Sequence, residues 1–346
     1  MYVEAGLPLD DLSDIAAAVR RAEALGFDGV VVPETQHNPF AALALAAEHS
    51  QRVTLATSVA QAFVRSPTTM AYAAFDLQRF SHGRLMLGLG SQVKGQIERR
   101  FGMPWSAPAT RMRDYILAMR AVWDCWQTES QLNYEGTHFR LNVMTPNHRP
   151  HPLPAGTPFP SIQLAAVKPY MCRLAGELCQ GVRMHAFSTE AYVREHVLPN
   201  LEKGAERSGR TLADLDISGG GMIATGPTQD DVNRAVERVR WQIAFYGSTR
   251  TYSSVWELHG WGETGRKLHE HSVTNGWSQM PGLITDEMVR TFAAVGTYDQ
   301  IGDRIVERFG GFATRTQLPL PEPEHEAPLV RALRRVQESR MPAAAV

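Results

Sequence analysis

Short apolar runs alternate with amphipathic helical patterns along most of the chain, and this alternation is the feature that most constrains the fold. A run of about four to eight apolar residues bounded by turn residues is typical of a buried strand. The predicted strands are residues 2–7, 29–32, 53–59, 85–89, 162–166, 182–187, 217–224 and 312–318. Because helical patterns separate these runs, the strands are expected to run parallel, each crossover being a helix.

The number of strand–helix units distinguishes two parallel architectures. The units up to residue 126 fit an open doubly wound sheet and a closed barrel equally well. Eight units over about 310 residues favour the barrel. We therefore predict the α/β class, with a (β/α)8 TIM barrel with insertions as one domain over residues 1–318.

Three segments break the alternation. Residues 132–160 contain a turn between two extended runs and then a proline-rich loop, which predicts a hairpin insertion outside the barrel. Residues 246–281 are rich in Gly, Ser, Thr and aromatic side chains and are predicted to be irregular. Residues 319–346 are predicted to form a C-terminal tail, loose in its Pro/Glu-rich part at 319–328.

Charge balance and residue spacing exclude several protein classes. The 35 basic and 36 acidic residues give a net charge of -1, which predicts no general attraction to nucleic acid or to a membrane surface. Cys125, Cys172 and Cys179 show no CxxC spacing, so neither a disulfide framework nor a zinc site is expected. His269 and His271 would point about 200° apart on a helix, and no metal site is predicted. With no signal peptide apparent, we expect a cytoplasmic protein that acts on a small molecule.

Functional residues of such barrels lie in the loops that follow the strands. After the second strand, Glu34 and His37 bring a carboxylate and an imidazole into one loop, where they can transfer protons beside a redox ring. The alternative is a polar loop that caps the next helix through Asn38. We take Glu34 and His37 as the candidate catalytic residues.

Later loops offer room for a cofactor. Small residues after strands three and four let a planar ring approach the backbone. The Gly88-Leu89-Gly90 triplet is half of a dinucleotide fingerprint, but Val93 stands where the third glycine should be, so the glycines equally fit a simple turn. After strand five, Lys168 precedes Pro169 at a predicted helix start, which suits a phosphate-sized anion or an ordinary strand–helix junction.

Several runs resemble the luciferase-like oxidoreductases. These are LGFDGVVVPE at 25–34, VTLATSV at 53–59 followed by RSP at 65–67, LAGELCQGV at 174–182 and GTYDQI at 296–301. The most specific is FSHGRLMLGLG at 80–90. The resemblance covers most of residues 1–312 and implies a bacterial-luciferase-like barrel.

Within that family the chain looks more like the actinobacterial branch that uses the deazaflavin coenzyme F420 than the branch that uses FMN and oxygen. The resemblance implies hydride transfer between F420 and an unidentified organic substrate, with an FMN-dependent monooxygenase as the alternative and a non-catalytic flavin-binding barrel as a more distant one. We also expect a homodimer or another homo-oligomer. Four tryptophans can wall a substrate pocket or simply pack the insertions: Trp105, Trp256, Trp261 and Trp277.

The resemblance also assigns cofactor contacts. It implies a non-prolyl cis peptide at Ser58–Val59 against the ring, and a phosphate site in the loop formed by Ala166, Val167 and Lys168. The ring and its ribityl chain are expected near Glu34, Ser58, Val59, Gln61, Gly90 and Ser91.

Two positions depart from the family pattern. Many relatives carry an acid–His pair directly after strand two, whereas here Thr35 follows Glu34 and His37 lies two residues further on. The strand-five loop usually has Gly before Pro, whereas here Lys168 stands there and can replace a backbone donor with an ammonium group.

Overall fold

The structure, a computed structural model, describes residues 1–340, and its centre is a closed ring of parallel strands. Its strands are β1 (Tyr2–Gly6), β2 (Gly29–Val32), β3 (Thr54–Thr57), β4 (Ala60–Gln61), β5 (Leu85–Gly90), β6 (Tyr134–Glu135), β7 (Arg140–Leu141), β8 (Ser161–Ala166), β9 (Gly181–Met184), β10 (Asp216–Ser218), β11 (Met222–Gly226), β12 (Ala293–Thr297) and β13 (Arg315–Leu318). Around the ring the order is β1, β2, β3, β5, β8, β9, β10 and β13, and β13 pairs with β1 to close it. The predicted (β/α)8 barrel is confirmed.

Helices cover the outside of this ring. They are α1 (Ile15–Leu25), α2 (Pro39–Glu48), α3 (Pro67–Phe80), α4 (Lys94–Arg99), α5 (Pro108–Gln127), α6 (Pro169–Leu178), α7 (Glu190–Tyr192), α8 (Leu198–Ala205), α9 (Gln229–Gly247), α10 (Ser253–Leu258), α11 (Gly262–Val273), α12 (Asp286–Phe292), α13 (Tyr298–Phe309) and α14 (Glu326–Glu338). A π-helical turn, Val193–Val197, joins α7 to α8. In residues 1–340, no helix has the length and apolar character that a membrane crossing requires.

Local sequence signals set the helix ends. Asn38 caps α2 by accepting from the backbone N–H of Phe40, and Pro39 occupies the first turn, where no N–H is needed. Gly26 ends α1 with a φ of 92°, a conformation that glycine adopts at little cost. Thr297 opens α13, its N–H donating to the Gln300 side chain at 3.2 Å, as the capping-box spacing predicts.

The predicted seventh strand, 217–224, is two strands in the structure. β10 pairs inside the barrel, and β11 pairs with β12 in a separate parallel sheet. Between them Gly219 and Gly220 have φ values of 87° and 119°, which redirect the chain out of the barrel wall. The strand at β12 is absent from the sequence prediction, and the predicted eighth strand begins later, at Arg315.

The long excursion between β11 and β12 differs from the irregular stretch expected at 246–281. It contains α10, α11 and a 3-10 segment, Trp277–Leu283. Its apolar residues pack inward, with Val255 and Leu268 fully buried. Interspersed glycine and polar residues obscure the helical period of these short helices.

The two other interruptions are a hairpin and a helix. The hairpin of β6 and β7 agrees with the predicted insertion at 132–160, and Asp114 of α5 holds it by accepting from the backbone N–H of Phe139 at 3.1 Å. The expected loose part of the tail, 319–328, is instead a 3-10 turn, Pro323–His325, followed by the start of α14. Because α14 packs on α13 and β1, it completes the helical layer; residues 341–346 of the predicted tail lie outside the described residues.

Charged side chains, rather than only apolar ones, fill part of the barrel interior. We call Glu4, Gln163, Arg183, Asp216 and Arg315 the interior ion network. Both guanidinium N–H groups of Arg183 donate to Glu4, at 2.9 and 2.8 Å, and Glu4 is 0% exposed.

The rest of the network continues around the ring. Arg315 donates to Asp216 at 3.1 Å and lies 3.5 Å from Glu4, while Gln163 donates to Asp216 at 2.8 Å. Burial alone would lower the pKa of Arg315, but the carboxylates of Asp216 and Glu4 outweigh burial and raise it. These residues belong to five neighbouring barrel strands, so the network ties more than half of the ring together from within.

We expect Glu4→Gln to destabilise the fold strongly. The substitution keeps the side-chain size but leaves two buried guanidinium groups with one carboxylate, and breaking a buried ion pair costs about 3–5 kcal/mol. Urea unfolding followed by circular dichroism measures the change. The control is Glu307→Gln, which removes an exposed pair with Arg304 at 3.2 Å and should change stability by about 0.5 kcal/mol or less. Equal stabilities of the two variants would contradict a structural role for the network.

Candidate active site

The loops after β2 and β3 are joined by an ion pair between Glu34 and Arg65. Arg65 donates to both carboxylate oxygens of Glu34, at 2.7 and 2.9 Å. The backbone N–H of Gln61 donates to the same carboxylate at 2.7 Å, and the Gln61 side-chain amide returns a bond to the Glu34 carbonyl at 3.0 Å. Since both carboxylate oxygens are already engaged by a guanidinium group, this arrangement favours a positioning role for Glu34 over proton transfer.

His37 lies apart from this pair. It is half-buried. Hydrogen bonds with Ser13 are the main cause of the lowered pKa of Asp11, and the charge of His37 lowers this pKa further, which places His37 near the loop after β1. Within residues 1–340 no hydrogen bond joins His37 to Glu34. The structure therefore does not bring the two candidate catalytic residues together as one hydrogen-bonded relay.

The backbone between β3 and β4 carries the predicted special geometry. The Ser58–Val59 peptide bond is cis, as the family resemblance implies. Next to it, Gly90 at the end of β5 has no side chain, and a methyl group there would lie 2.6 Å from Cγ2 of Val59 and 3.6 Å from Cβ of Ala165. Val59, Gly90 and Ala165 therefore pack side by side with little side-chain bulk between them, and we call these three residues the small-residue platform.

The glycine triplet is explained by the barrel rather than by a nucleotide fold. A methyl group on Gly88 would lie 2.0 Å from the Thr57 carbonyl oxygen and 3.1 Å from the Arg183 side chain. Gly88 thus leaves room for the interior ion network, and Gly90, two residues along the same strand, leaves room at the platform. The triplet is not a Rossmann fingerprint.

Gln61 presents an unsatisfied acceptor beside the platform. It pairs with Gly90 in the β4–β5 ladder, and its Nε2 is fixed by the bond to Glu34. Its Oε1 is buried and receives no hydrogen bond from the described residues. A buried carbonyl oxygen without a donor costs about 1–3 kcal/mol, so this atom is suited to accept from a bound ligand.

A hydrogen bond from Tyr192 fixes the backbone of the loop after β8. The Tyr192 hydroxyl lies 3.2 Å from the Val167 carbonyl oxygen and 3.1 Å from the Ser254 hydroxyl. Lys168 is exposed and stands at the N-cap of α6, directly before Pro169. Ala166 is buried at the end of β8, and Ser91 follows Gly90 in a half-buried position, so both lie at the C-terminal ends of barrel strands, as predicted.

A residue that the sequence analysis did not select, His185, also lies at this end of the barrel. The predicted strand 182–187 places it inside the strand, whereas β9 ends at Met184 and His185 begins the loop. Its ring stacks on Tyr252, with centroids 4.7 Å apart, and meets Tyr246 edge-on at 4.6 Å. A polar aromatic residue within a few positions of the end of a predicted strand is the signal that would have identified it.

The four tryptophans that the sequence analysis considered as pocket walls or as packing residues differ in burial. Trp256 is buried and donates to the Gly247 carbonyl at 2.9 Å, so for this residue the packing alternative is confirmed. Trp261 is half-buried against His259, and Trp277 is exposed beside Phe245. Trp105 is half-buried against the core.

Comparisons with known proteins show the family of this chain. A model of the luciferase-like monooxygenase family matches residues 2–315. An uncharacterized protein of Mycobacterium tuberculosis is 42% identical over 308 residues, 89% of each chain. A 5,10-methylenetetrahydromethanopterin reductase of Archaeoglobus fulgidus is 28% identical over 299 residues, 84% of each chain.

Solved structures share the fold. The coenzyme F420-dependent tetrahydromethanopterin reductase of Methanopyrus kandleri superposes with a TM-score of 0.76 at 21% identity, covering 98% of this chain and 99% of that one. The FMN-bound oxygenating constituent of a 3,6-diketocamphane monooxygenase from Pseudomonas putida gives a TM-score of 0.69 at 17% identity, with 100% of both chains covered. At these identities the likeness shows the fold alone.

We expect Gly90→Ala to destabilise the protein by about 1–3 kcal/mol, because the new methyl group overlaps Val59 in a fully buried strand. Chemical denaturation measures the loss, and a crystal structure of the variant should show Val59 displaced. Gly282→Ala is the control, since a methyl group there meets nothing within 4 Å. If both variants are as stable as the unmodified protein, the platform is less tightly packed than described.

Proposed function

The chain belongs to the luciferase-like monooxygenase family, and from that premise we propose that it is an oxidoreductase that moves a hydride between coenzyme F420 and an organic substrate. The family contains F420-dependent oxidoreductases and FMN-dependent monooxygenases. The relative named as a methylenetetrahydromethanopterin reductase supports hydride chemistry, and a further relative from Mycobacterium tuberculosis is named as a putative F420-dependent oxidoreductase.

The observation that carries the proposal is the small-residue platform with the unpaired Gln61 Oε1 beside it. A planar tricyclic ring needs a surface without projecting side chains, and Val59, Gly90 and Ala165 supply one. The pyrimidine part of a flavin or deazaflavin carries an N–H donor, which is the group that Gln61 Oε1 lacks. The residues present therefore fit such a ring.

When bound, a deazaflavin supplies a carbon that gives or takes a hydride, and the protein contributes positioning and electrostatics. The Arg65–Glu34 ion pair holds the Gln61 backbone, and through it the acceptor at the platform. We propose Ser58 and Ser91 as neighbours of the ring system. In the loop after β8, Ala166, Val167 and Lys168 are proposed to receive the phosphate, with Lys168 adding a positive charge at the start of α6.

His37 is the group that we propose for moving the proton that accompanies the hydride. Its imidazole is half-buried in the loop after β2, and histidine is the side chain most often used to transfer protons in catalysis. Glu34 acts with it only indirectly, by fixing the neighbouring loop through Arg65 and Gln61. The expected homo-oligomeric state stays a prediction.

Titration of the purified protein with F420 and, separately, with FMN tests the cofactor directly. Cofactor fluorescence reports binding, and we expect F420 to bind at least about tenfold more tightly than FMN, a difference of about 1.4 kcal/mol. Tighter binding of FMN would replace the proposal with the monooxygenase alternative. If neither F420 nor FMN binds, the non-catalytic barrel would become the favoured interpretation.

We expect Lys168→Ala to weaken F420 binding by about two- to fivefold, the size typical of an exposed ion pair. The affinity should also fall as salt is raised, because exposed charges are screened over about 8–10 Å at physiological ionic strength. Arg99→Ala should have a smaller effect, and Lys203→Ala, an exposed lysine on α8, should have none. Equal affinities of the Lys168 and Lys203 variants would remove Lys168 from the phosphate site.

Glu34→Gln and His37→Ala should separate positioning from proton transfer. Glu34→Gln should weaken F420 binding because the ion pair with Arg65 that holds this loop is lost, whereas His37→Ala should leave binding almost unchanged and lower the rate by about 10²–10⁴-fold. Oxidation of reduced F420 by a panel of ketones and aldehydes measures the rate. An unchanged rate in the His37 variant would return that side chain to a structural role.

A further inference from the structure

His185 begins the loop that follows β9, at the mouth of the barrel. Arg183 points into the barrel interior, where it meets Glu4. His185 lies two residues beyond Arg183 and one position past the end of β9. β9 also stands opposite β2 in the ring, so the loop that begins at His185 and the loop of Glu34 and His37 follow strands on opposite sides of the barrel mouth.

The hydrogen bond at His185 fixes which ring nitrogen carries the proton. The backbone N–H of Phe187 donates to Nδ1 of His185 at 3.0 Å. Burial lowers the pKa of His185 to about 4, so the ring is neutral near pH 7. A neutral ring that accepts at Nδ1 carries its proton on Nε2. In residues 1–340 no side chain or carbonyl accepts from Nε2, and this nitrogen is not among the fully buried unpaired atoms, so it remains reachable by a ligand.

The surroundings of His185 are aromatic and uncharged. Tyr252 stacks on one face of the ring and Tyr246 approaches edge-on. Burial is the only cause of the pKa shifts of His185 and Tyr246, and no nearby carboxylate or cation contributes to either. A charged substrate group placed here would lose its hydration without gaining a partner, which is costly.

From this geometry we propose that His185 is a substrate-binding residue, and that its Nε2–H holds the oxygen of an uncharged carbonyl or alcohol whose apolar part lies against Tyr246 and Tyr252. The inference rests on the proposed hydride transfer, which interconverts these two groups. It deepens that proposal by naming the substrate class: neutral ketones or aldehydes and the corresponding alcohols.

The role requires no proton from His185. Hydride addition to the carbonyl carbon moves the electron pair of the C=O π bond onto oxygen, and the resulting alkoxide takes its proton from His37, the group proposed above for this transfer, which is then reprotonated by solvent. The hydrogen bond from Nε2–H strengthens as negative charge develops on that oxygen. A neutral imidazole suits this task because it donates strongly without introducing a buried charge.

Binding of acetophenone, with benzoate as a charged analogue of similar size, tests the inference on the full chain without cofactor. Two substitutions distinguish the ring nitrogens: the amide of His185→Asn can still accept from the Phe187 N–H, and that of His185→Gln can present a donor near Nε2. We expect acetophenone affinity to fall by about 3- to 10-fold in His185→Asn and in His185→Phe, the loss of one neutral hydrogen bond, and by less in His185→Gln.

His259→Asn is the matched control. This histidine is also partly buried beside an aromatic ring, Trp261, but its Nε2 is engaged by the Thr189 hydroxyl at 2.8 Å. The variant should bind acetophenone as the unmodified protein does. Benzoate should bind more weakly than acetophenone to every protein in the series.

Nitrogen NMR of the histidine rings gives a second readout that a merely structural role would not move. At pH 7 the His185 signals should show a neutral ring protonated on Nε2, and acetophenone should shift the Nε2 signal. A proton on Nδ1, equal acetophenone affinity in all His185 variants, stronger binding of benzoate, or no binding of acetophenone up to its solubility limit would each overturn the inference.

The outcome can be separated from that of the proposed function. Acetophenone binding through His185 together with failure to bind F420 would remove the deazaflavin proposal and keep the substrate site. If F420 binds but the His185 substitutions do not change acetophenone affinity, the deazaflavin proposal stands and the substrate site is removed.

Discussion

The buried pairing of Arg183 with Glu4 is the interaction on which the arrangement of the barrel depends. A guanidinium group inside a ring of parallel strands must find carboxylates there, and Glu4 and Asp216 provide them on strands β1 and β10. An unpaired buried charge destabilises the folded state strongly, and a buried ion pair is favourable only when its two groups meet with good geometry. The network therefore fixes which strands face one another across the interior, in a way that interchangeable aliphatic side chains would not.

Arg183 also explains the sequence of β5, which is separated from β9 by one strand of the ring. The Arg183 stem occupies the space beside Gly88, so that strand cannot carry a side chain at this position. Gly90 also lacks a side chain, two residues further along β5, where Val59 at the cis peptide bond occupies the space. The candidate site is thus built above a charged layer, and its flat surface results from the side chains that the strands lack.

The alternation of apolar runs and helical patterns was sufficient to predict the barrel, the hairpin insertion and most strand positions, because strands buried on both faces show as continuous apolar runs. It did not predict the division of strand seven, since glycines that redirect the chain differ from glycines inside a strand only in their backbone angles, as at Gly219. It also missed α14, because the Pro/Glu-rich segment before this helix looks like a loop.

Within the candidate site, loop positions identified Glu34, Gln61 and Gly90. The Glu34–Arg65 pair, however, joins residues 31 apart in the sequence, and only the fold brings them together. His185 was hidden by an error of a few residues in the end of one strand.

The excursion that supplies Tyr246 and Tyr252 leaves and rejoins the barrel through β11 and β12, which are paired with each other over five residues from Met222–Ala293 to Gly226–Thr297. Its two ends are therefore held side by side whatever lies between them. The strands of the barrel that carry the interior ion network pair without using any residue between these ends. An exchange of residues 227–292 would therefore replace Tyr246 and Tyr252 together while the paired strands β11 and β12 at its two ends stay in place.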